Sequence, residues 1–240
     1  MLEVKGLHKS YGEKEALKGI DFTLETGKIM GFIGHNGAGK TTALKIIAGI
    51  LEEDAGTVLI NGLNIKEEPV KTKAMSFFVP DEPRLYEYLR GDQYLGFIAN
   101  IYGLSTEKRS QNINYFAETL GIKEDLSQRI SGYSHGMKQK LSVVSALMVE
   151  PKLLILDEPF VGLDPVATKR LTEYLRKRCD KGGAVLFSTH VLDQAQRICD
   201  SIAIIKEGRL VAKGPTKEVI KDSSLEDVFL HLQEMANETL

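Results

Sequence analysis

Apolar residues along this chain recur with two different spacings, and the two alternate. Early on, Leu2–Val4, Ile20–Leu24 and Ile29–Ile33 are short runs of apolar and β-branched residues, the later two followed by Gly27 and Gly34. Runs of this length and composition predict strands. From about Thr41 to Gly49 the spacing becomes helical, with Leu44, Ile47 and Ala48 on one face. Thr57–Ile60 predicts a further strand closed by the tight-turn pair Asn61-Gly62. Phe77–Val79 predicts a short strand ended by Pro80.

Between about Arg90 and Val149 the period is helical, with breaks at Gly103, Gly121 and Gly132. Strand-length runs then return at Leu153–Leu156, Ala184–Ser188 and Ile202–Ile205. Helical patterns at Val166–Asp180 and Val191–Cys199 separate them. Strand-helix alternation predicts a largely parallel sheet. The helical stretch then reads as an insertion into an α/β core, with no internal repeat and no low-complexity linker. Ser224–Gln233 predicts an amphipathic helix packed on that core.

Composition narrows the picture. The 240 residues suffice for one large domain or one domain with an inserted subdomain. A net charge of −2 gives no argument for nucleic acid, whose binders carry a basic excess. Mixed-sign runs such as Arg170–Lys181 read as a solvated helix face. Cys179 and Cys199 form neither a CxxC pair nor a disulfide framework, which favours a reducing compartment and two small buried side chains. The first residues carry charges where a secretory leader needs an apolar run. No stretch approaches the roughly 18 apolar residues of a spanning helix. A protein of this kind would reach a membrane only by docking on partners.

Two constellations carry chemistry. Gly34-His35-Asn36-Gly37-Ala38-Gly39-Lys40-Thr41 matches GxxxxGK[ST], with a strand leading in and a helix leading out. Glycines let backbone N–H groups approach phosphate oxygens, and the helix N-terminus adds its positive dipole end. Gly34, Asn36, Gly37, Ala38, Gly39 and the following Thr42 shape this cradle. Lys40 supplies a cation for the β- and γ-phosphates, and the Thr41 hydroxyl can ligate Mg²⁺. The second constellation is Leu153-Leu154-Ile155-Leu156-Asp157-Glu158-Pro159, an apolar strand ending in two acids. Parallel strands bind ligands at such ends. Asp157 is placed near Mg²⁺, and Glu158 is placed to polarise a water as a general base.

With Tyr133-Ser134-His135-Gly136-Met137, Gly162-Leu163-Asp164-Pro165 and Ser188-Thr189-His190 added in this order, the chain closely resembles the nucleotide-binding subunits of ABC transporters over nearly its whole length. The resemblance implies the following roles. Tyr11 in Lys9-Ser10-Tyr11-Gly12 stacks on adenine. Ser134 and Gly136 open a helix whose N-terminus caps the γ-phosphate held by a second subunit, the two meeting head to tail. Asp164 links the two sites, and His190 contacts the γ-phosphate. His8 and His231 match no motif and read as structural. The sequence departs from the family at His135, where the usual LSGGQ has a glycine, and at Asp81 in Val79-Pro80-Asp81-Glu82-Pro83, where the family has a glutamine. Aspartate remains a hard oxygen ligand for Mg²⁺.

The expected fold is therefore α/β: a P-loop NTPase core with a largely parallel sheet, an N-terminal antiparallel β subdomain and an inserted α-helical subdomain. Residues 1–89 and 150–240 form the ATP-binding core, and 90–149 the helical block carrying the signature. The Pro80-Asp81-Glu82-Pro83-x-Leu85-Tyr86 segment and Leu225-Glu226-Asp227-Val228-Phe229-Leu230 resemble the exporter subgroup with separately encoded transmembrane permease subunits, the ABC-2 type. The expected protein is an ATPase using ATP and Mg²⁺. It would pair with a second ATPase subunit and lie peripherally on the cytoplasmic face of the cell membrane, without nucleic acid. Another reading is an ABC-type ATP switch in a soluble assembly. A small-molecule kinase would leave Tyr133–Met137, Asp164 and His190 unexplained.

Overall fold

The computed structural model describes residues 1–235, with side chains described to residue 232. The chain runs β1 (Leu2–Tyr11), β2 (Lys14–Leu24), β3 (Ile29–Ile33), α1 (Lys40–Ile47), β4 (Ala55–Ile60), β5 (Leu63–Asn64), α2 (Pro69–Met75) and β6 (Ser76–Val79). Then come α3 (Gly91–Ile101), α4 (Thr106–Thr119) and α5 (His135–Val149). The remainder alternates: β7 (Leu153–Asp157), α6 (Pro165–Asp180), β8 (Ala184–Thr189), α7 (Leu192–Ile198), β9 (Ser201–Lys206), β10 (Arg209–Pro215), α8 (Thr216–Ile220) and α9 (Leu225–Met235).

Two sheets result. One has the order β2-β1-β4-β5 and is antiparallel throughout. The other has the order β10-β9-β3-β8-β7-β6, and every pairing in it is parallel except that of the edge strand β10. All residues of β3, β7 and β8 are buried. Their unbroken apolar runs are what a parallel sheet covered on both faces requires.

Successive side chains of a strand point to opposite faces. Accordingly Leu153 and Ile155 enter a core shared with the antiparallel sheet and α1, built on Leu2, Phe22, Phe32 and Leu44. Leu154 and Leu156 enter the other core, with α5 and α6. Cys179 and Cys199 are both buried, and burial pushes the Cys179 thiol up to about 11.

The structure departs from the periodicity in places. β1 and β2 are longer than the apolar runs predicted, because Lys5–Tyr11 and Lys14–Gly19 pair across bulges with mixed polarity. The edge strand β10 alternates exposed and half-exposed residues, so it shows no apolar run. Its turn, Glu207-Gly208, has positive φ at both residues, the hairpin geometry that favours glycine. The short elements α2 and β5 went unpredicted for the same lack of a buried face. His8 and His231 are exposed.

What matters for function is the C-terminal edge of the parallel sheet. β3 ends at Ile33 just before the glycine-rich loop, β7 ends at Asp157, β8 at Thr189 and β6 at Val79. Ligands of open α/β sheets bind along this edge.

Candidate active site

The loop after β3 wraps the N-terminus of α1. Gly39 caps that helix at φ 111°. A Cβ there would also lie 2.6 Å from the Ala16 carbonyl oxygen, so glycine is required twice over. Gly34 is similarly tight, since a Cβ would meet the Ile205 carbonyl oxygen at 2.5 Å. The Lys40 ammonium donates to the carbonyl oxygens of Gly34 at 2.5 Å and His35 at 3.3 Å, and is buried.

Around it lies a cleft of about 260 Å³. Its walls include Tyr11, Asn36, Gly37, Gly39, Lys40, Thr41, Thr42, Asp81, Asp157 and Glu158. The strand edge thus gathers the glycine-rich loop, the two strand-end acids, Asp81 and Tyr11 in one place. Tyr11 ends β1 with half its surface exposed, a ring free to meet a flat ligand. Ala38 is buried beneath the loop.

The two acids differ in setting. Asp157 is buried; its carboxylate accepts from the Thr41 hydroxyl at 2.7 Å and from the Ser188 hydroxyl. Glu158 leaves the strand with φ 48°, a left-handed conformation uncommon for a side-chain-bearing residue. Its N–H is held by the Ser188 hydroxyl at 3.1 Å and the Ser188 carbonyl at 3.2 Å. This turn aims the side chain away from that of Asp157. Glu158 Oε1 lies 3.0 Å from His190 Nδ1 and 3.6 Å from Lys40 Nζ. It is buried but not aligned for a hydrogen bond with either. A buried carboxylate beside a lysine ammonium and an imidazole, with acceptor capacity left over, can take a proton from a water.

Asp81 follows β6 on the cleft wall, exposed on one side and partly desolvated by the cleft on the other. That partial desolvation, then the negative charges of Asp157 and Glu158, raise its carboxyl from its ordinary value. The cleft therefore concentrates acid groups that a cation would relieve.

Ser134, Gly136 and Asp164 do not line this cleft; the helix start that carries Ser134 and Gly136 instead meets the loop that leads to Asp164. The Ser134 hydroxyl caps α5, accepting from the Met137 N–H at 3.3 Å. A Cβ on Gly136 would come 2.6 Å from the Gly162 carbonyl oxygen, so the helix start packs directly on the loop before α6. The His135 ring is accommodated by being exposed, passing over Gly162. Asp164 caps α6 through the Ala167 N–H at 2.9 Å and pairs with Lys140 at 2.7 Å. Those contacts hold its carboxyl down at about 2.

Ser188, Lys140, Lys14 and His35 were not singled out from sequence. Ser188 and His35 stand inside motifs already marked, but Lys14 lines the cleft from the start of β2, and the Lys140–Asp164 pair joins residues far apart in the chain.

A model of the ABC transporter family matches residues 17–161, and the chain belongs to that family. It is 37% identical to the ABC-type transporter ATP-binding protein EcsA of Bacillus subtilis (strain 168) over 97% of this chain and 96% of that protein. It is 35% identical to the linearmycin resistance ATP-binding protein LnrL of the same organism, over 89% of this chain and 69% of LnrL. A solved structure of an ATP binding subunit of an ABC transporter superposes with a TM-score of 0.92 at 35% identity, covering 97% and 99% of the two chains. The protein is an ATP-binding subunit of the ABC transporter type, and an ATPase. The core is the P-loop NTPase fold anticipated from the sequence.

Proposed function

We propose that this subunit powers an ABC-2-type exporter whose transmembrane permease subunits are separate chains. Two such ATPase subunits meet head to tail on ATP. The observation that carries this reading is the division of the motifs. The phosphate loop, Asp157 and Glu158 line one cleft, whereas Ser134 and Gly136 stand at a helix start outside it. A helix N-terminus is built to receive an anion. In this reading the anion is the γ-phosphate of the facing subunit's ATP.

Within one site, Tyr11 stacks on the adenine while the amides of Asn36 to Thr42 cradle the phosphates. Lys40 leaves the Gly34 and His35 carbonyls for the β- and γ-phosphates. The Thr41 hydroxyl and Asp157 carboxylate lie side by side as hard oxygen donors and suit Mg²⁺, which takes few protein ligands and keeps phosphate and water oxygens. Among the described residues no cluster of three or more acidic, His or Cys side chains would bind a metal unaided. Bound Mg²⁺ neutralises phosphate charge. Glu158 accepts the proton of the attacking water. His190, 3.0 Å from Glu158, contacts the γ-phosphate in this reading. Asp164 links the two sites. Residues 90–149 act as a helical subdomain inserted into a core of 1–89 and 150–240, and that block docks the permease.

Among the described residues, no helix is long and apolar enough to cross a membrane. Membrane attachment in this reading comes from the permease, on the cytoplasmic face. LnrL is named for linearmycin resistance, an outcome that export of a compound would produce. The tagged chain, extracted gently from its native membranes, should bring down a polytopic membrane protein and lose it in high detergent. Recovery only in a soluble complex would favour the ATP switch instead.

Asp81 adds a sharper test. Placed between the cleft and the helical block, it would sense the metal and the attacking water. Asp81→Gln should keep ATP affinity and fold while changing the Mg²⁺ dependence and rate of hydrolysis. If Asp81→Gln and Asp81→Ala both leave the Mg²⁺ response and rate untouched, Asp81 is only a solvated loop acid.

A further inference from the structure

The C-terminal helix α9 is held at both of its faces that matter here. Leu225 and Phe229, one helical turn apart, are buried in the core. The Leu225 N–H donates to the Gln196 side-chain oxygen on α7 at 2.7 Å, and α9 packs along α7. The Ser224 hydroxyl and the Asp227 carboxylate cap the helix start. α7 in turn begins just after His190.

From this seat the Phe229 ring meets the His35 ring edge-on, with centroids 4.8 Å apart and planes at 61°. His35 is the second residue of the phosphate loop. Its carbonyl accepts from the Ala38 N–H at 3.2 Å, which closes the loop's turn, and from the Lys40 ammonium at 3.3 Å. The imidazole itself is largely exposed. The buried Phe229 ring is thus a surface against which an exposed loop side chain rests.

We infer that Phe229 is a positioning residue for the phosphate loop. Through His35 it holds the loop in the shape that receives phosphates, and through α9 it ties that loop to α7, the helix that follows His190. Phe229 touches no nucleotide in this scheme; it acts on the backbone that does. The inference rests on the ATP-binding role of the cleft. It predicts a defined kinetic signature. The loop grips the phosphates of ATP and ADP alike, so loss of the ring contact should weaken both to a similar degree. The rate of the chemical step should change less.

The test is a double-mutant cycle on the full chain, with Phe229→Leu, His35→Ala and the pair together. Phe229→Leu keeps an apolar side chain in the core, and His35→Ala trims an exposed one, so both should fold. ATP and ADP dissociation constants come from calorimetric titration, KM and kcat from phosphate release, and Tm from circular dichroism. An aromatic pair is worth roughly 2- to 10-fold in an equilibrium constant. Each single variant should raise Kd for ATP and ADP, and KM, by about that factor. The double variant should be no worse than the weaker-binding single one, as residues acting through one contact are non-additive. The inference is overturned if Phe229→Leu lowers Tm but leaves nucleotide affinity unchanged. It is equally overturned if the two substitutions multiply independently. Failure of the wild-type chain to bind any ATP would instead overturn the functional reading, and this inference with it.

Discussion

Lys40→Ala is expected to remove most ATP binding and turnover while the fold stays intact. Lys40 is the one cationic side chain within the GxxxxGK[ST] motif of this chain. Its ammonium is buried and held on two carbonyls of the glycine-rich loop, beside the cleft proposed to take the phosphates. A hydrogen bond to a charged group is worth about 1.5–3 kcal/mol, and Lys40 would make more than one with the phosphates. Removing it should weaken ATP by about 10- to 100-fold or more. Structurally the change is mild. Alanine is a strong helix former at the start of α1, and the glycines that shape the loop remain. Calorimetric titration with ATP, beside a thermal melt, checks both halves. Unchanged affinity and unchanged ATPase activity would sink the assignment of the cleft.

Glu158→Gln should separate binding from turnover. The amide keeps the size and hydrogen-bonding reach of the acid but cannot accept a proton from water. Loss of a general base typically costs about 10²–10⁴-fold in rate. ATP affinity should hold or rise, since a negative charge 3.6 Å from Lys40 is removed from the phosphate pocket. Steady-state phosphate release measured beside a nucleotide titration decides. A variant that turns over at the wild-type rate would assign the base to another group.

The parallel core was legible because burial on both faces forces strands to be apolar throughout, as in Leu153–Leu156 and Ala184–Ser188. The same property hid β10 and the outer parts of β1 and β2. There one face meets water, so Lys5, Lys9, Lys14 and Lys18 break the pattern without breaking the pairing. The phosphate loop was legible because a glycine such as Gly39 answers a local demand that no other residue meets. Contacts between distant segments were not. Nothing in the sequence near Phe229 announces a ring at residue 35, and nothing near Lys140 announces Asp164. The division of the site was only half visible. Motif order pointed to Ser134 and Gly136, but only the fold places them outside the cleft that holds Lys40 and Glu158.

If Ser134 and Gly136 serve a facing subunit as proposed, one chain lacks part of its own site, and stoichiometry becomes the test. Hydrolysis-deficient Glu158→Gln should trap the closed state. The decisive measurement is the solution mass of Glu158→Gln by light scattering on a sizing column, with saturating ATP and Mg²⁺ and again with ADP. The account predicts the mass of two ATPase subunits with ATP and of one with ADP. A variant that binds ATP, hydrolyses it at the wild-type rate and remains a single chain throughout would contradict it.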